Sequence, residues 1–163
     1  MPLVGLADND VTCLFEATDK SIWIGTKNKG ISMYNGSTFR TINKETGLTY
    51  ESVTSICEDQ KKNIWIGTEG GGAFVYGNNV YEKYKVSNGL ISDFITLVTV
   101  DEKNNVWFGT NKGLSKYDQT KKQFFSYQKN DGFTGIETKP KAVYTDAQKN
   151  IWFGTVNGVF KYN

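Results

Sequence analysis

The chain has no histidine and only small numbers of proline, cysteine and methionine. Its 163 residues include 2 Pro, 2 Cys and 2 Met. The lack of histidine removes the side chain most often used as a general base and metal ligand at neutral pH. The sequence also lacks a Gly-x-Ser-x-Gly elbow, a phosphate-binding loop and a cluster of metal-ligating residues. We therefore expect no enzyme activity, no catalytic residue, no cofactor and no metal site.

Charge and hydrophobicity exclude two further classes of partner. The 19 basic residues nearly balance the 17 acidic ones, leaving a formal charge of +2, and the lysines are scattered along the chain. This balance argues against a nucleic-acid surface, which needs clustered basic residues. No apolar run is long enough to cross a membrane, and residues 1–6 are too short for a signal peptide. We expect a soluble chain with no membrane segment.

The two cysteines, Cys13 and Cys57, are predicted to remain free. They fall in equivalent strands of successive repeats but at different positions along the strand, which makes a disulfide geometrically awkward. Neither has a histidine or a second cysteine nearby, so a metal site is not indicated. Buried free thiols are the expectation.

One block of five residues recurs four times and contains every tryptophan of the chain. Its copies, residues 22–26, 64–68, 106–110 and 151–155, read Ile/Val-Trp-Ile/Phe-Gly-Thr, with tryptophans 42, 42 and 45 residues apart. A glycine follows each tryptophan by six or seven residues, and a tyrosine follows that glycine by four. The structural repeat residues are Trp23, Trp65, Trp107, Trp152, Gly25, Gly67, Gly109 and Gly154. We predict that each tryptophan fills the gap between neighbouring units, and that each glycine permits close approach there.

Each repeat reads as four short antiparallel strands joined by turns of two to five residues. In the second repeat, Ile64 and Ile66 face one side of their strand while Trp65 faces the other, so both faces of the sheet must be covered. A unit of about 42 residues with two apolar faces is stable only when stacked, and radial stacking is the usual solution. The sequence predicts an all-β fold, a β-propeller of four tandem four-stranded blades. A β-sandwich is the alternative, but sandwich sequences do not repeat so regularly.

The repeat pattern resembles the two-component regulator propeller repeat over residues 5–163. The resemblance rests on residues 53–59, 63–68 and 71–76 of the second repeat and on a later Gly-Leu pair, all in register in the other copies. In that family, seven-bladed propellers form the periplasmic sensor region of hybrid histidine kinases, best known from gut Bacteroidetes, where they govern carbohydrate use. The resemblance implies a periplasmic, non-enzymatic sensor. It also places these four blades at the C-terminal end of such a propeller, because the linker at residues 136–142 is lengthened.

The alignment sets the expected blade limits and the ends of the array. Blade 1 is predicted at about 8–43, blade 2 at 51–85, blade 3 at 93–128 and blade 4 at 139–163. Fifteen strands are visible, and the last blade lacks its outer strand. Two blade faces would then be open, and exposed apolar faces favour association. We expect self-association, with two chains closing one eight-bladed ring, and the alternative is a closed four-bladed propeller.

Ligand-binding candidates lie in the loops at the end where the innermost strands begin. Aligning the Gly-Leu pairs places Asn9, Glu51 and Asp93 at one equivalent position, where polar side chains would ring the channel mouth. Aromatic and charged side chains of the same loops complete the candidate set: Tyr50, Phe94, Phe133, Glu137 and Lys139. The aromatic rings would suit stacking on sugars, and the resemblance to regulators of carbohydrate use implies an oligosaccharide as the ligand. The alternative interpretation is that these residues only cap strands and solvate loops.

Two classes of function remain. The first is a ligand-sensing propeller segment of a two-component regulator that responds to oligosaccharides, which the resemblance supports. The second is a protein-interaction scaffold without a small-molecule ligand, for which loops and open blade faces would serve equally.

Overall fold

The computed structural model describes residues 5–135 and 137–163, and the architecture is all-β. Within these residues fifteen strands form four antiparallel sheets, which are the four predicted blades. Blade 1 contains β1 (Val11–Glu16), β2 (Ile22–Thr26), β3 (Ile31–Tyr34) and β4 (Phe39–Ile42). Blade 2 contains β5 (Val53–Glu58), β6 (Ile64–Thr68), β7 (Ala73–Gly77) and β8 (Val80–Tyr84). Blade 3 contains β9 (Ile95–Val100), β10 (Val106–Thr110), β11 (Gly113–Asp118) and β12 (Gln123–Tyr127). Blade 4 contains β13 (Thr138–Thr145), β14 (Ile151–Thr155) and β15 (Gly158–Tyr162).

The blades follow one another around an axis, as predicted. Sequential strands pair within each sheet, and the first strands of all four blades border one axial cavity. Blade 4 has three strands among the described residues, as expected from the sequence. The linkers between blades and the loops joining second to third strands lie together at what we call the loop end of the propeller.

Each linker begins with a single turn of 3-10 helix that ends at a glycine. The turns span Lys44–Thr46, Val86–Asn88 and Lys129–Asp131. The glycines that follow them, Gly47 and Gly89 among them, have φ values of 116° and 105°, in the left-handed region that favours glycine. The next residue, leucine in the first two linkers, is buried beneath the chain. The recurring Gly-Leu pair is therefore the signal that ends each turn.

Tryptophans fill the spaces between blades, as the sequence predicts. Trp65 packs against Phe108 and Tyr117 of the next blade, with ring centroids 5.9 and 5.7 Å apart. Trp107 packs in the same way against blade 4, with its ring centroid 4.4 Å from that of Tyr162. Trp23, Trp65 and Trp107 are no more than 4% exposed. Each tryptophan thus faces the following blade.

An aspartate holds the indole ring at the start of each hairpin in blades 2 to 4. In blade 2, Asp59 Oδ1 accepts hydrogen bonds from the backbone N–H groups of Lys61 and Asn63. Its Oδ2 accepts from Asn63 Nδ2 and from Trp65 Nε1, both at 3.0 Å. Asp59 therefore stabilises the turn, and its carboxylate also holds the tryptophan ring. Blade 1 uses Ser21 instead, whose Oγ accepts from Trp23 Nε1 at 3.0 Å.

Because of these hydrogen bonds to Asp59, we expect the free energy of unfolding to decrease at acid pH. Burial opposes ionisation of Asp59, but the donated hydrogen bonds outweigh it and hold the pKa of this carboxyl below its usual value. A lowered folded-state pKa adds stability above the unfolded pKa of about 4, and this stability is lost as the pH falls through the folded value. Asp59→Asn is expected to cost about 1.5–3 kcal/mol at pH 7. Urea denaturation should show this difference from the parent chain shrinking below about pH 4, whereas a difference independent of pH would contradict the role of ionisation.

Threonines tie the innermost strands together. Thr12 Oγ1 donates to the Val53 carbonyl oxygen at 2.6 Å, and Thr54 Oγ1 donates to that of Ile95 at 2.8 Å. Thr96, at the equivalent position of blade 3, shares a hydrogen bond with the hydroxyl of Thr138. Three threonines separated by 42 residues thus bridge successive blades. The spacing of these threonines was visible in the sequence. The direction of their hydrogen bonds and the groups that accept them were not.

The extra residues of blade 4 lie inside its first strand and not before it. Thr138 pairs with Thr155, and pairing resumes only at Val143 with Phe153, so the intervening residues form a bulge. The equivalent interval in blade 2 is shorter and runs from Val53, which pairs with Thr68, to Ile56, which pairs with Ile66. The prediction of a longer linker before blade 4 is therefore wrong. The extra residues bulge from the edge of β13, and its pairing with β14 continues on both sides of the bulge. Residue 136, included in that prediction, lies outside the described residues.

Both cysteines are free, as predicted. Cys13 lies opposite Gly25 and Cys57 opposite Trp65, so they occupy different positions along β1 and β5. Each residue is partly exposed and not fully buried. Burial raises the pKa of both thiols, which keeps them protonated near neutral pH.

Candidate ligand-binding surface

Two aromatic rings from different linkers meet on the outside of the loop end. Tyr50 precedes blade 2 and Phe94 precedes blade 3, and they are 38% and 50% exposed. Both approach Gly70: a Cβ built there would lie 3.0 Å from Tyr50 Oη and 3.5 Å from Phe94 Cζ. The Tyr50 ring also rests on Gly71, where a side chain would collide with it. We call Tyr50, Glu69, Gly70, Gly71 and Phe94 the loop-end platform.

Hydrogen bonds fix the platform in place. Tyr50 Oη donates to the Glu69 carbonyl oxygen at 2.7 Å, and Glu69 forms an isolated antiparallel bridge with Phe94. The Phe94 N–H donates to Ser92 Oγ at 3.1 Å. The Glu69 carboxylate is exposed and accepts a hydrogen bond from Ser52 Oγ at 3.2 Å. The platform therefore offers two partly exposed aromatic rings beside a glycine pair and a carboxylate that solvent reaches.

The aligned acidic residues make equivalent contacts with the backbone. Glu51 Oε1 accepts from the Lys44 N–H at 3.4 Å, and Asp93 Oδ1 accepts from the Val86 N–H at 2.9 Å. Each carboxylate thus reaches the first residue of the preceding 3-10 turn. Lys85 Nζ lies 3.6 Å from Asp93 Oδ2. These partners favour the capping interpretation that the sequence left open, although both side chains remain partly exposed.

The other polar candidates are spread over the loop end and the axis. Asn9 and Glu137 are exposed, and the Glu137 carbonyl oxygen accepts from the Val156 N–H at 3.0 Å. Lys139 follows Thr138 in β13, the position that Thr54 holds in blade 2. It therefore belongs to the innermost strand of blade 4 and not to a loop, because the inserted residues bulge within that strand.

Phe133 belongs to the core and not to the aromatic loop surface. It is 7% exposed, and its ring centroid lies 4.6 Å from that of Phe160. Its N–H donates to the Gln128 carbonyl oxygen, as the Leu48 N–H donates to that of Asn43. Phe133 is therefore the aromatic equivalent of Leu48, which closes the 3-10 turn in blade 1. Aligning the fourth Gly-x pair with the three Gly-Leu pairs would have shown this.

A second concave surface lies on the axis. Side chains of all four innermost strands line a cavity of about 510 Å³, among them Cys13, Ser55, Val98 and Lys141. Its walls are mainly threonine and aliphatic side chains, and among the described residues that line it Lys141 carries the charge. No group of three or more potential metal ligands occurs within residues 5–135 and 137–163. In that same part of the chain, no helix has the length and hydrophobicity needed to cross a bilayer.

The fold and its loop surface define a β-propeller built from tandem tryptophan-containing blades, with its candidate ligand site on the loops. Three segments of the chain, residues 5–28, 47–70 and 89–112, match the family described as two component regulator propeller. Three repeats of the chain therefore belong to this family, as the sequence resemblance indicated. Each matched segment runs from a glycine through the tryptophan strand, and the glycines that begin the second and third segments, Gly47 and Gly89, follow 3-10 turns.

Solved structures of sensor domains share this architecture. The extracellular domain of a hybrid two-component system from B. thetaiotaomicron is 26% identical, with a TM-score of 0.88 over 97% of this chain. A second such domain from that organism is 25% identical, with a TM-score of 0.78 over 97% of the chain. The chain spans only 22% and 23% of those two proteins. A search of curated proteins finds no significant match.

Enzymes share the fold at lower identity. Streptogramin B lyase is 18% identical, with a TM-score of 0.70 over 94% of this chain and 54% of its own. The similarity shows a common fold alone. A catalytically inactive histidine-to-alanine variant of virginiamycin B lyase from Staphylococcus aureus is also similar, at 16% identity and a TM-score of 0.69. The present chain contains no histidine.

Proposed function

We propose that this chain is part of a non-enzymatic sensor propeller of a two-component regulator and that its loop end binds an oligosaccharide. Membership in the two-component regulator propeller family and similarity to extracellular sensor domains support the sensor role. The same similarity supports a periplasmic or extracellular location. The loop-end platform is the observation that supports the ligand class.

The platform suits a sugar because it combines two kinds of contact. An aromatic ring offers an apolar face on which the C–H face of a pyranose can stack. Binding sites for small molecules are largely apolar, with a few convergent polar groups that fix orientation. Tyr50 and Phe94 provide the rings, and the exposed carboxylate of Glu69 provides an acceptor for sugar hydroxyl groups. Gly70 and Gly71 allow the rings to lie close to the backbone, because a side chain at either glycine would be crowded by Tyr50.

Binding is expected to depend on both rings. A thermal-shift screen with an oligosaccharide panel, followed by calorimetry on the best hit, measures the affinity. Replacing both Tyr50 and Phe94 with alanine should weaken binding about tenfold or more, because the stacking surface is removed. Tyr50→Phe should retain most of the affinity, since the ring stays and only the hydroxyl that bonds Glu69 is lost.

A matched control separates ring stacking from general loss of aromatic surface. Tyr144→Ala removes an aromatic side chain that is 68% exposed on blade 4, away from the loop end, and should leave affinity unchanged. Equal binding by the parent chain and the Tyr50/Phe94 double variant would contradict ligand binding at the loop-end platform.

Replacing Glu51 and Asp93 together tests whether the aligned carboxylates bind the ligand. Unchanged affinity would assign these carboxylates to capping alone. If no oligosaccharide in the panel binds, the protein-interaction scaffold becomes the better proposal.

A further inference from the structure

We propose that Asn35, in the turn between β3 and β4, is a site of spontaneous deamidation. The chain contains three Asn-Gly pairs: Asn35-Gly36, Asn88-Gly89 and Asn157-Gly158. In such a pair the backbone nitrogen of the glycine can attack the side-chain carbonyl carbon of the asparagine, because glycine has no Cβ to hinder the approach. The structure distinguishes the three pairs, and it favours the reaction at the first one.

The turn that contains Asn35 is open to solvent. Residues 35 to 38 are all exposed, and a Cβ built on Gly36 would meet no atom within 4 Å. The equivalent turn of blade 2, at Asn78 and Asn79, is exposed as well, although blades 1 and 3 pack on either side of that blade. The exposure of such a turn therefore follows from its place at the tip of a hairpin, whichever blades adjoin it.

Within the described residues, the Gly36 nitrogen is free to act as the nucleophile. No acceptor for its N–H lies among residues 5–135 and 137–163. By contrast, the Gly89 N–H donates to the Val86 carbonyl oxygen at 3.0 Å. Gly158 is likewise held, since it pairs with Thr155 in the ladder between β14 and β15. A nitrogen whose hydrogen is already donated must first lose that hydrogen bond before it can attack.

The side-chain carbonyl group of Asn35 is polarised for this attack. Its Oδ1 accepts hydrogen bonds from the backbone N–H groups of Ser37 at 3.0 Å and of Thr38 at 2.9 Å. Attack turns this oxygen into an oxyanion, and N–H donors already aimed at such an oxygen stabilise the developing charge. At Asn88 the side-chain oxygen accepts from the Lys85 N–H at 2.8 Å. Asn35 thus combines two backbone donors with an available nucleophile, whereas the nucleophile beside Asn88 is hydrogen-bonded.

The reaction needs only water and hydroxide. The Gly36 nitrogen loses its proton to hydroxide and forms a bond to Asn35 Cγ, the bond from Cγ to Nδ2 breaks, and ammonia leaves with a proton taken from water. Water then opens the cyclic imide at one of its two carbonyl groups. Opening at Cγ gives aspartate, and opening at the backbone carbonyl gives isoaspartate. Either product carries a carboxylate, which lowers the formal charge of +2 by one.

The isoaspartate product changes the turn as well as its charge. The Tyr34 hydroxyl donates to the Gly36 carbonyl oxygen at 2.7 Å, and the Asn35 N–H donates to the Thr38 carbonyl oxygen at 3.2 Å. Isoaspartate adds a methylene to the main chain between these groups, so both hydrogen bonds lose their present geometry. The turn lies at the end of blade 1 opposite the loop end, so the modification leaves the loop-end platform unchanged.

Peptide mapping by mass spectrometry, after incubation of the folded chain at mildly alkaline pH, tests the proposal. Asn35 should deamidate at least about tenfold faster than Asn88 or Asn157, because its pair combines an available nitrogen with two donors to the oxygen. The rate should rise with pH, since the nitrogen must lose its proton. Asn35→Gln lengthens the side chain, prevents closure of the five-membered ring and should abolish the fast acidic product in ion-exchange chromatography.

Denaturing the chain separates the effect of the fold from that of the dipeptide. In guanidinium chloride the three pairs should react at similar rates, since the hydrogen bonds that distinguish them are lost. The same ratio of rates between Asn35 and Asn88 in the folded and denatured chains would overturn the proposal. Deamidation at Asn88 or Asn157 that matches that at Asn35 in the folded chain would overturn it as well, and so would a folded chain in which Asn35 does not react.

Discussion

Replacing Trp107 with alanine is expected to lower the free energy of unfolding by about 3–5 kcal/mol. The indole is 1% exposed and lies between blades 3 and 4, where it contacts Phe153 and Tyr162. Its Nε1 also donates to Asp101 Oδ2 at 3.0 Å, so the variant leaves a buried carboxylate with one donor fewer. Urea denaturation followed by circular dichroism measures the change, and Trp107→Phe should fall between the parent chain and the alanine variant.

The fourth repeat supplies the control for this prediction. Trp152 has the same place in its strand and an equivalent aspartate partner, Asp146, but it is 37% exposed where Trp107 is 1% exposed. Trp152→Ala should therefore cost only about 1 kcal/mol in the same measurement. Equal losses for Trp107 and Trp152 would show that the tryptophans act within their own blade and not between blades.

Replacing Gly67 with valine is expected to cost about 3 kcal/mol through overpacking. Gly67 lies next to blade 3, and a Cβ built there would be 2.6 Å from Ile95 Cγ2 and 2.9 Å from Val98 Cγ2. Both neighbours are short β-branched side chains with little freedom to move away. The cost therefore arises because blades 2 and 3 lie too close together for a side chain at this position. Thermal or urea denaturation measures it.

A double-mutant cycle tests this origin. Ile95→Ala removes the closest atom and should reduce the added cost of Gly67→Val by about 1 kcal/mol or more. Additive effects of the two substitutions would mean that Gly67 is required for its own strand conformation and not for the approach of Ile95.

The sequence predicted the blades because their signals are local and repeat four times. Short apolar runs and short polar turns specify each strand, and the regular spacing of the tryptophans, 42, 42 and 45 residues, specifies how the strands group. The predicted close approach of the next blade to Gly67 is confirmed, and the approaching side chains are Ile95 and Val98. Thr68, at the end of the strand, donates from Oγ1 to the Gly72 carbonyl oxygen across the following turn at 2.6 Å.

The candidate site was less predictable because its contacts join residues distant in sequence. Tyr50 and Phe94 were both proposed from their loops, but only the fold places them on either side of Gly70. Asp93 could be identified as a loop carboxylate, yet its bond to the Val86 N–H depends on how the linker turns. Phe133 was assigned to the loops because its equivalence to Leu48 appears only when the turn before it is aligned.

The sequence by itself determined that the chain folds into four propeller blades, with fifteen strands among the described residues and two free cysteines, since period, composition and turn residues act over short range. Only the tertiary structure decided which face of each blade meets the next. A strand pattern shows that both faces are apolar but gives neither their order around the axis nor their partners. The packing of Trp65 on Phe108 and Tyr117 of blade 3 establishes that order, because the tryptophan face of one blade meets the isoleucine and phenylalanine face of the next.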